Sequence, residues 1–335
     1  MSESHLTLEE IEALAVRALR GAGAGETAAA SLARGIAAAE RDGIRSHGLM
    51  YLPTYCEHLR CGKVKADAAP RLERPKPGAL SVDADTGFAH PAIDLGFAEL
   101  VPAARELGCA ALAVRESYNC GVLGYHTERL ARDGLLGLGF TNAPASIAPP
   151  GGKTPVIGTN PFSLAVPDGK GGLAFLIDQS ASVVAKSEIM LRAREGEAIP
   201  SHWALDAEGR PTEDPEAALQ GSMAPAGGHK GFGTGLLVET LAAAMSGALL
   251  GRDASPFSGT AGGPPRTGQF FLALDPGAFS GAAFGERIAA LAEAIAAQDD
   301  ARLPGDRRLA KRAANGGARI PVAAALLEKI EAYAA

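Results

Sequence analysis

Residues 41–55, RDGIRSHGLMYLPTY, set Ser46 beside His47 between charged residues and a glycine, just after a long helical run. An imidazole titrates near neutrality, so it suits a reaction that moves one proton at neutral pH. A neighbouring hydroxyl can orient that ring or meet a substrate oxygen. The same pair also has a structural reading, with Ser46 capping the next short helix and His47 in an ordinary hydrogen bond. Two glycine-bearing stretches follow. Residues 117–124, SYNCGVLG, come straight after an apolar strand pattern, where Gly121 and Gly124 can admit a ligand or simply permit tight turns. Residues 227–235, GGHKGFGTG, set Lys230 among glycines that let a phosphate or carboxylate approach a helix start, or that pack closely with Lys230 on the surface. Neither stretch is a dinucleotide GxGxxG fingerprint or a GxxxxGK P-loop.

These groups need elements to hold them. Thr7 and Glu10 form a capping-box pattern ahead of an apolar helical period that runs to Gly21, and a second helix is expected over residues 26–40. Together they deliver the Ser46-His47 corner, and Pro53 opens a third helix that Gly62 closes. Residues 63–85 read as a proline-punctuated loop with one short strand near 80–82. A long helix is expected over 87–107, then strand 110–114, the 117–124 loop, helix 126–132 and strand 137–141, in the order of a crossover unit. Residues 142–161 read as an ordered wrapping loop, followed by strands at 162–166 and 173–178 and a helix over 182–192. That last helix brings Lys186, Glu188 and Arg192 together. Turn-dense residues 199–215 hold the one tryptophan. Later elements are a helix over 236–246, a strand over 269–274, a helix over 283–297, a loop at 302–308 and a last helix over 322–333.

The totals set bounds. A chain of 335 residues can bury a large core in one elaborate domain or several lobes, and 47% hydrophobic with 21% charged residues fits a globular chain. A net charge of -6 without a basic stripe argues against a nucleic-acid binder. Four cysteines, Cys56, Cys61, Cys109 and Cys120, lack paired metal-ligand spacing, so reduced thiols and no metal site are expected. The amino terminus shows no signal-peptide pattern and no window of about 18 apolar residues reads as a membrane span. A cytoplasmic protein without membrane partners is the expectation.

A set of longer motifs adds a resemblance. Glu40 with RDGIRSHG (41–48), APPGGKTPVIGTNPFSLAVP (148–167), FLIDQSASVVAKSEI (175–189), WALDAEGRPTEDP (203–215), GGHKGFG (227–233) and LPGDR (303–307) occur in that order. The chain so resembles, over nearly its whole length, the type-2 malate/L-lactate dehydrogenase family, which also holds ureidoglycolate and sulfolactate dehydrogenases and cyclic ketimine reductases. The resemblance implies an α/β, non-Rossmann nicotinamide-cofactor fold in which a terminal helical region packs on a mixed sheet, in agreement with the missing fingerprint. It implies a helical region at 1–75 completed by 300–335, a mixed α/β region at 76–118 with 269–299, and a central cofactor-binding region at 119–268. A homodimer is implied as well.

Chemically, the resemblance implies NAD or NADP as cofactor and a hydride moved between the nicotinamide and C2 of a small 2-hydroxy/2-oxo acid of the malate or lactate kind. His47 is then the proton donor and acceptor with Ser46 as companion. The alternatives are a reductase of cyclic ketimino acids, with Glu188 as carboxylate relay or in a surface salt bridge, and a non-catalytic protein that keeps the fold. Cofactor contacts fall on Asn119, Cys120, Gly121, Val122, Leu123, Asp178, Lys230, Pro304, Gly305 and Asp306. Arg302, Arg307 and Arg308 are the cations that bear on NADP. Asn119-Cys120-Gly121 stands where many relatives carry His-Phe-Gly, which leaves His47 as the acid/base unless His126 reaches in. Tyr51 stands where relatives often carry a substrate-clamping arginine. Substrate contacts are therefore expected from Tyr51, Arg45 and Asn160, with Lys186 and His202 as further candidates for the carboxylate.

Overall fold

The computed structural model describes residues 3–334. Its first element, β1 (Glu3–Leu6), is too short to leave a periodic trace in the sequence. Thr7 then caps α1 (Leu8–Gly21): its hydroxyl accepts the Glu10 N–H at 3.1 Å, and the Glu10 carboxylate accepts the Thr7 N–H at 2.8 Å. The alanine-rich α2 (Glu26–Arg41) follows, then a single 3-10 turn over Arg45–His47, then α3 (Leu52–Arg60) with Pro53 in its first turn. Ile11, Leu14, Leu32, Ile36, Leu52 and Tyr55 close these helices on one core.

The short strand expected near 80–82 is β3 (Ala79–Asp83), and part of the expected loop before it is a strand as well, β2 (Arg71–Lys76), which pairs with it as a hairpin. β2 is an edge strand, charged and interrupted by Pro75, so it carries no alternation to recognise. From β3 the long α4 (Ala89–Leu107), with Pro102 inside it, crosses to the parallel strand β4 (Cys109–Ser117). After the 117–124 loop come α5 (Leu123–Arg132) and β5 (Leu136–Thr141). α5 starts at Leu123, three residues before the expected start at His126. The meander β6 (Phe162–Pro167) and β7 (Leu173–Gln179) completes this side of the sheet.

α6 (Lys186–Glu195), β8 (Ala204–Leu205), α7 (Pro215–Gln220) and β9 (Ser222–Met223) build a side lobe around Ile147, Ile157, Ile199 and Met223. α8 (His229–Glu239) begins inside the glycine run rather than after it, and continues as a π turn over Thr240–Ala244. β10 (Thr267–Leu274) then inserts between β4 and β5, antiparallel to both, giving the mixed order β2-β3-β4-β10-β5-β6-β7. α9 (Pro276–Ser280) and α10 (Ala283–Ala296) follow. Residues 302–308, expected as a loop, turn into α11 (Asp306–Asn315), and the expected start of the last helix is a strand, β11 (Ile320–Ala323), paired antiparallel with β1. α12 (Ala324–Ala334) packs Ile330 into the core of the first helices. The termini are thus joined by strand pairing and by burial, and the helical region rests on a mixed sheet as expected. Among the described residues no helix is long and apolar enough to cross a membrane, and no group of acidic, histidine or cysteine side chains could hold a metal ion.

Candidate active site

The 3-10 turn that carries Ser46 and His47 is fixed from beneath by Glu40. Its carboxylate accepts the Leu49 N–H at 2.7 Å, and Gly48 lies so close to it that a β-carbon would collide with Oε1. Glu40 is buried, and burial raises its pKa against the opposing pull of the Leu49 N–H and Arg45. Ser46 Oγ lies 3.0 Å from His47 Nδ1. His47 is exposed at its edge to solvent, and the protein packed around the rest of the ring desolvates it enough to pull its pKa below the ordinary imidazole value. Asp178 opposes that fall and Arg308 adds to it.

Those two charges form a pair of their own. Arg308 Nη2 donates to Asp178 Oδ2 at 2.6 Å, both side chains being largely buried, and the Gly124 N–H donates to the same oxygen at 3.1 Å. Asp178 ends β7 and Gly124 lies in the first turn of α5. Arg308 is on α11, whose entry turn docks on β7 through the Leu176 N–H donated to Pro304 O at 3.0 Å. Gly305 takes φ +95 there, with Leu176 atoms 3.2 Å from where a β-carbon would sit, so only glycine suits. Asp306 accepts the Leu303 N–H at 2.7 Å and fixes the same turn. The structure therefore brings together His47, Ser46, Asp178, the 121–124 loop and the 304–306 turn.

The loop is rigid by construction. Asn119 Oδ1 accepts from the Tyr55 hydroxyl and the Gly121 N–H, both at 3.1 Å. Cys120 and Leu123 are buried, and burial pushes the Cys120 thiol up to about 12. Val122 is the N-cap of α5. His126 does not reach the site: it is fully buried, with Nε2 at 2.9 Å from Cys120 O, where it donates, and its ring 5.1 Å from that of buried His90. Lys230 is exposed in the first turn of α8, with no carboxylate paired to it among the described residues. The Val183 N–H to Ala224 O and Ala226 N–H to Ala181 O bonds, at 2.9 and 2.8 Å, lay the segment before Lys230 along the chain leaving Asp178.

Three further sequence-predicted residues are engaged by other parts of the protein. Glu188 pairs with Arg192 at 3.3 Å on half-exposed α6, the surface salt bridge that was its other reading, and no hydrogen bond joins it to Ser46 or His47; the carboxylate whose charge favours protonation of His47 is that of Asp178. Tyr51 spends its proton on Phe257 O at 3.1 Å and lies 3.5 Å from the Tyr118 hydroxyl, so its phenol is engaged within the protein. Asn160, at φ +38 and fully buried, donates to Gly235 O at 3.0 Å and Glu239 Oε2 at 2.7 Å and accepts from the Ala143 N–H at 3.1 Å. It orders the wall, with both amide hydrogens committed to protein acceptors. Arg45 is exposed beside His47. The residue that sequence reasoning placed only among the cofactor cations is Arg308. Its spacing from Arg312 and Asn315 along one helical face was the available signal.

A mixed sheet without a glycine fingerprint, a strand-end loop held rigid at a helix start, and a histidine beside a hydroxyl and near a buried ion pair agree with the class that the comparisons show, a non-Rossmann, NAD(P)-dependent oxidoreductase of small organic acids. The malate/L-lactate dehydrogenase family profile matches residues 6–331, and the chain belongs to that family. The chain is 45% identical over 329 residues to a (2R)-3-sulfolactate dehydrogenase (NADP(+)) of Chromohalobacter salexigens, covering 98% of each. It is 40% identical over 330 residues to a Delta(1)-pyrroline-2-carboxylate reductase of Ancylobacter novellus, covering 98% of this chain and 96% of the relative. The solved delta1-piperideine-2-carboxylate reductase of Pseudomonas syringae superposes with a TM-score of 0.93 at 33% identity, covering 98% of this chain and 99% of that one.

Proposed function

We propose that the chain moves a hydride between the nicotinamide of NAD or NADP and C2 of a small 2-substituted carboxylic acid, with His47 moving the accompanying proton. The observation that carries this is the Ser46-His47 pair set against the Asp178–Arg308 ion pair. The bound cofactor supplies or takes the hydride. For the nicotinamide dinucleotide the chain offers the 119–124 loop, the 304–306 turn, the exposed Lys230 ammonium, and Arg308, whose buried Nη1 has no hydrogen-bond partner among the described residues. Ser46 serves both directions, because its hydroxyl oxygen can accept from Nδ1–H in either protonation state of the ring. The neutral imidazole then leaves Nε2 as a base for a substrate hydroxyl, and the imidazolium presents Nε2–H as an acid to a substrate oxygen or nitrogen. The depressed pKa keeps His47 neutral at neutral pH, the state an alcohol oxidation needs. Asp178 takes the place first expected of Glu188, as the carboxylate that steadies the protonated ring.

The relatives divide over the substrate. By number they favour a cyclic 2-imino acid: several pyrroline-2-carboxylate and piperideine-2-carboxylate reductases match at 35–40% identity, besides the Pseudomonas syringae structure. This reading displaces malate or lactate as the leading substrate. A second reading, a 2-hydroxy/2-oxo acid with a further anionic group, is favoured by the 45% identity to a sulfolactate dehydrogenase. The exposed Arg45 beside His47 is the cation nearest to hand for either carboxylate. Exposed Leu237 and Met245 on the α8 helix and its extension support assembly as a homodimer. NAD(P)H absorbance followed with pyrroline-2-carboxylate, piperideine-2-carboxylate, sulfolactate, malate and lactate separates the readings. Turnover of imino acids alone removes the second, and turnover of none refutes the hydride-transfer reading. His47→Ala should lower turnover about 10²- to 10⁴-fold with cofactor binding retained in a direct titration.

A further inference from the structure

We infer that Arg312 is a positioning residue for this reaction: it locks α11 onto the catalytic corner and thereby holds Arg308 on Asp178 beside His47. The inference rests on the assignment of His47 as acid/base. Arg312 is a double fork. Nε and Nη2 donate to Asp42 Oδ1 and Oδ2 at 2.9 and 2.8 Å, while Nη1 and Nη2 donate to Glu128 Oε1 and Oε2 at 2.6 and 2.7 Å. All three side chains are nearly inaccessible, at 14% exposure for Arg312 and 5% for each carboxylate. Against burial, Arg312 with Arg41 holds Asp42 below the usual carboxylate range, and Arg312 with Arg132 does the same for Glu128.

The three anchors belong to the three parts of the site. Asp42 caps the C-terminus of α2, five residues ahead of His47. Glu128 lies on α5, one turn beyond Gly124, whose N–H holds Asp178. Arg312 lies one turn beyond Arg308, which pairs with Asp178, and Asn315 continues the same face by donating to Glu40 O and Arg41 O at 3.2 and 3.0 Å. α11 has no fully buried residue and only half-buried Leu309 on its apolar side, so little apolar burial docks it. Its seat is largely these polar contacts, and among the described residues the only fork that spans α2 and α5 at once is Arg312. A lysine, one point donor on a flexible stem, cannot reproduce two bidentate contacts. If the seat loosens, Arg308 withdraws from Asp178. Arg308 lowers the His47 pKa and Asp178 raises it, so both changes move it upward.

The test uses the full-length protein with Arg312→Lys, and Glu128→Gln as a second variant that keeps the Asp42 half of the clamp. The His47 imidazole is titrated by NMR in the cofactor-free protein, its signal assigned by its absence from His47→Gln, and steady-state rates are taken across pH. For Arg312→Lys, the His47 titration and the acid limb of the oxidation rate should both move to higher pH. Turnover should fall about tenfold or more, since misplacement on the order of 1 Å costs up to about a hundredfold. Glu128→Gln should move the titration in the same direction by less. Folded variants with the wild-type His47 titration overturn the inference. If the wild type turns over no substrate, the functional proposal fails, and the titration still decides the role of Arg312.

Discussion

Gly124→Ala puts the ion pair beneath His47 under direct strain. Gly124 starts the α5 helix without a left-handed backbone, so alanine fits its dihedral angles, and on helix propensity alone the change should stabilise by about 1 kcal/mol. The new methyl, however, would sit 2.5 Å from Asp178 Oδ2 and closer still to Arg308 Nη1. Ordinary contact begins at 3.4 Å, so at least 3.4 − 2.5 = 0.9 Å of movement is needed. The Arg308 end can give way. Asp178, on a short stem at the end of β7 and held by the Gly124 N–H at 3.1 Å, cannot move without losing that bond. Overpacking costs about 1–3 kcal/mol and a hydrogen bond to a charged group is worth about 1.5–3 kcal/mol, so the clash outweighs the helical gain. A net loss of about 1–3 kcal/mol in urea unfolding and a fall of about 10- to 100-fold in kcat are expected. A variant that is more stable by about 1 kcal/mol and keeps its wild-type kcat would refute the coupling of this ion pair to catalysis.

Two further outcomes follow from the same geometry. Burial lowers His90 from 6.5 to about 4, Arg129 and Arg34 adding to the fall and Asp94 opposing it, so between those values the unfolded chain binds the extra proton. The stability contributed by neutral His90 is therefore complete above pH 6.5 and is lost as pH falls toward 4. It amounts to about 3 kcal/mol, and urea titrations across that window should show a shallower pH slope in His90→Gln; equal slopes would refute this. Asp178→Asn should reduce kcat and shift the His47 titration downward, because the lost carboxylate favours the imidazolium. Glu188→Gln should leave both within about twofold, as expected for a surface ion pair. The reverse pattern would restore Glu188 as the relay.

Much of this molecule is legible in its residue order. The capping box at Thr7, the apolar period of α1 and α2, and the runs that became β4, β5, β6, β7 and β10 are local patterns, because each element satisfies its own backbone and turns one face inward. The chemistry of His47 was legible for a similar reason: an imidazole beside a hydroxyl is a property of residue types. What failed were features with no local trace. β2 is a charged edge, β1 and β11 are four residues each and exist only because distant termini meet, and α11 hides its start behind a proline and a glycine. Glu188 lay in a shared motif, yet whether a carboxylate reaches His47 depends on which strand end faces the 3-10 turn. Only the tertiary structure could decide that, since Asp178, Arg308, Gly124 and His47 come from four separate segments joined by long-range pairing. Tyr51 shows the same limit from the other side. Its type announced a lost arginine, but the carbonyl of Phe257, 206 residues away, decided that its proton is already taken.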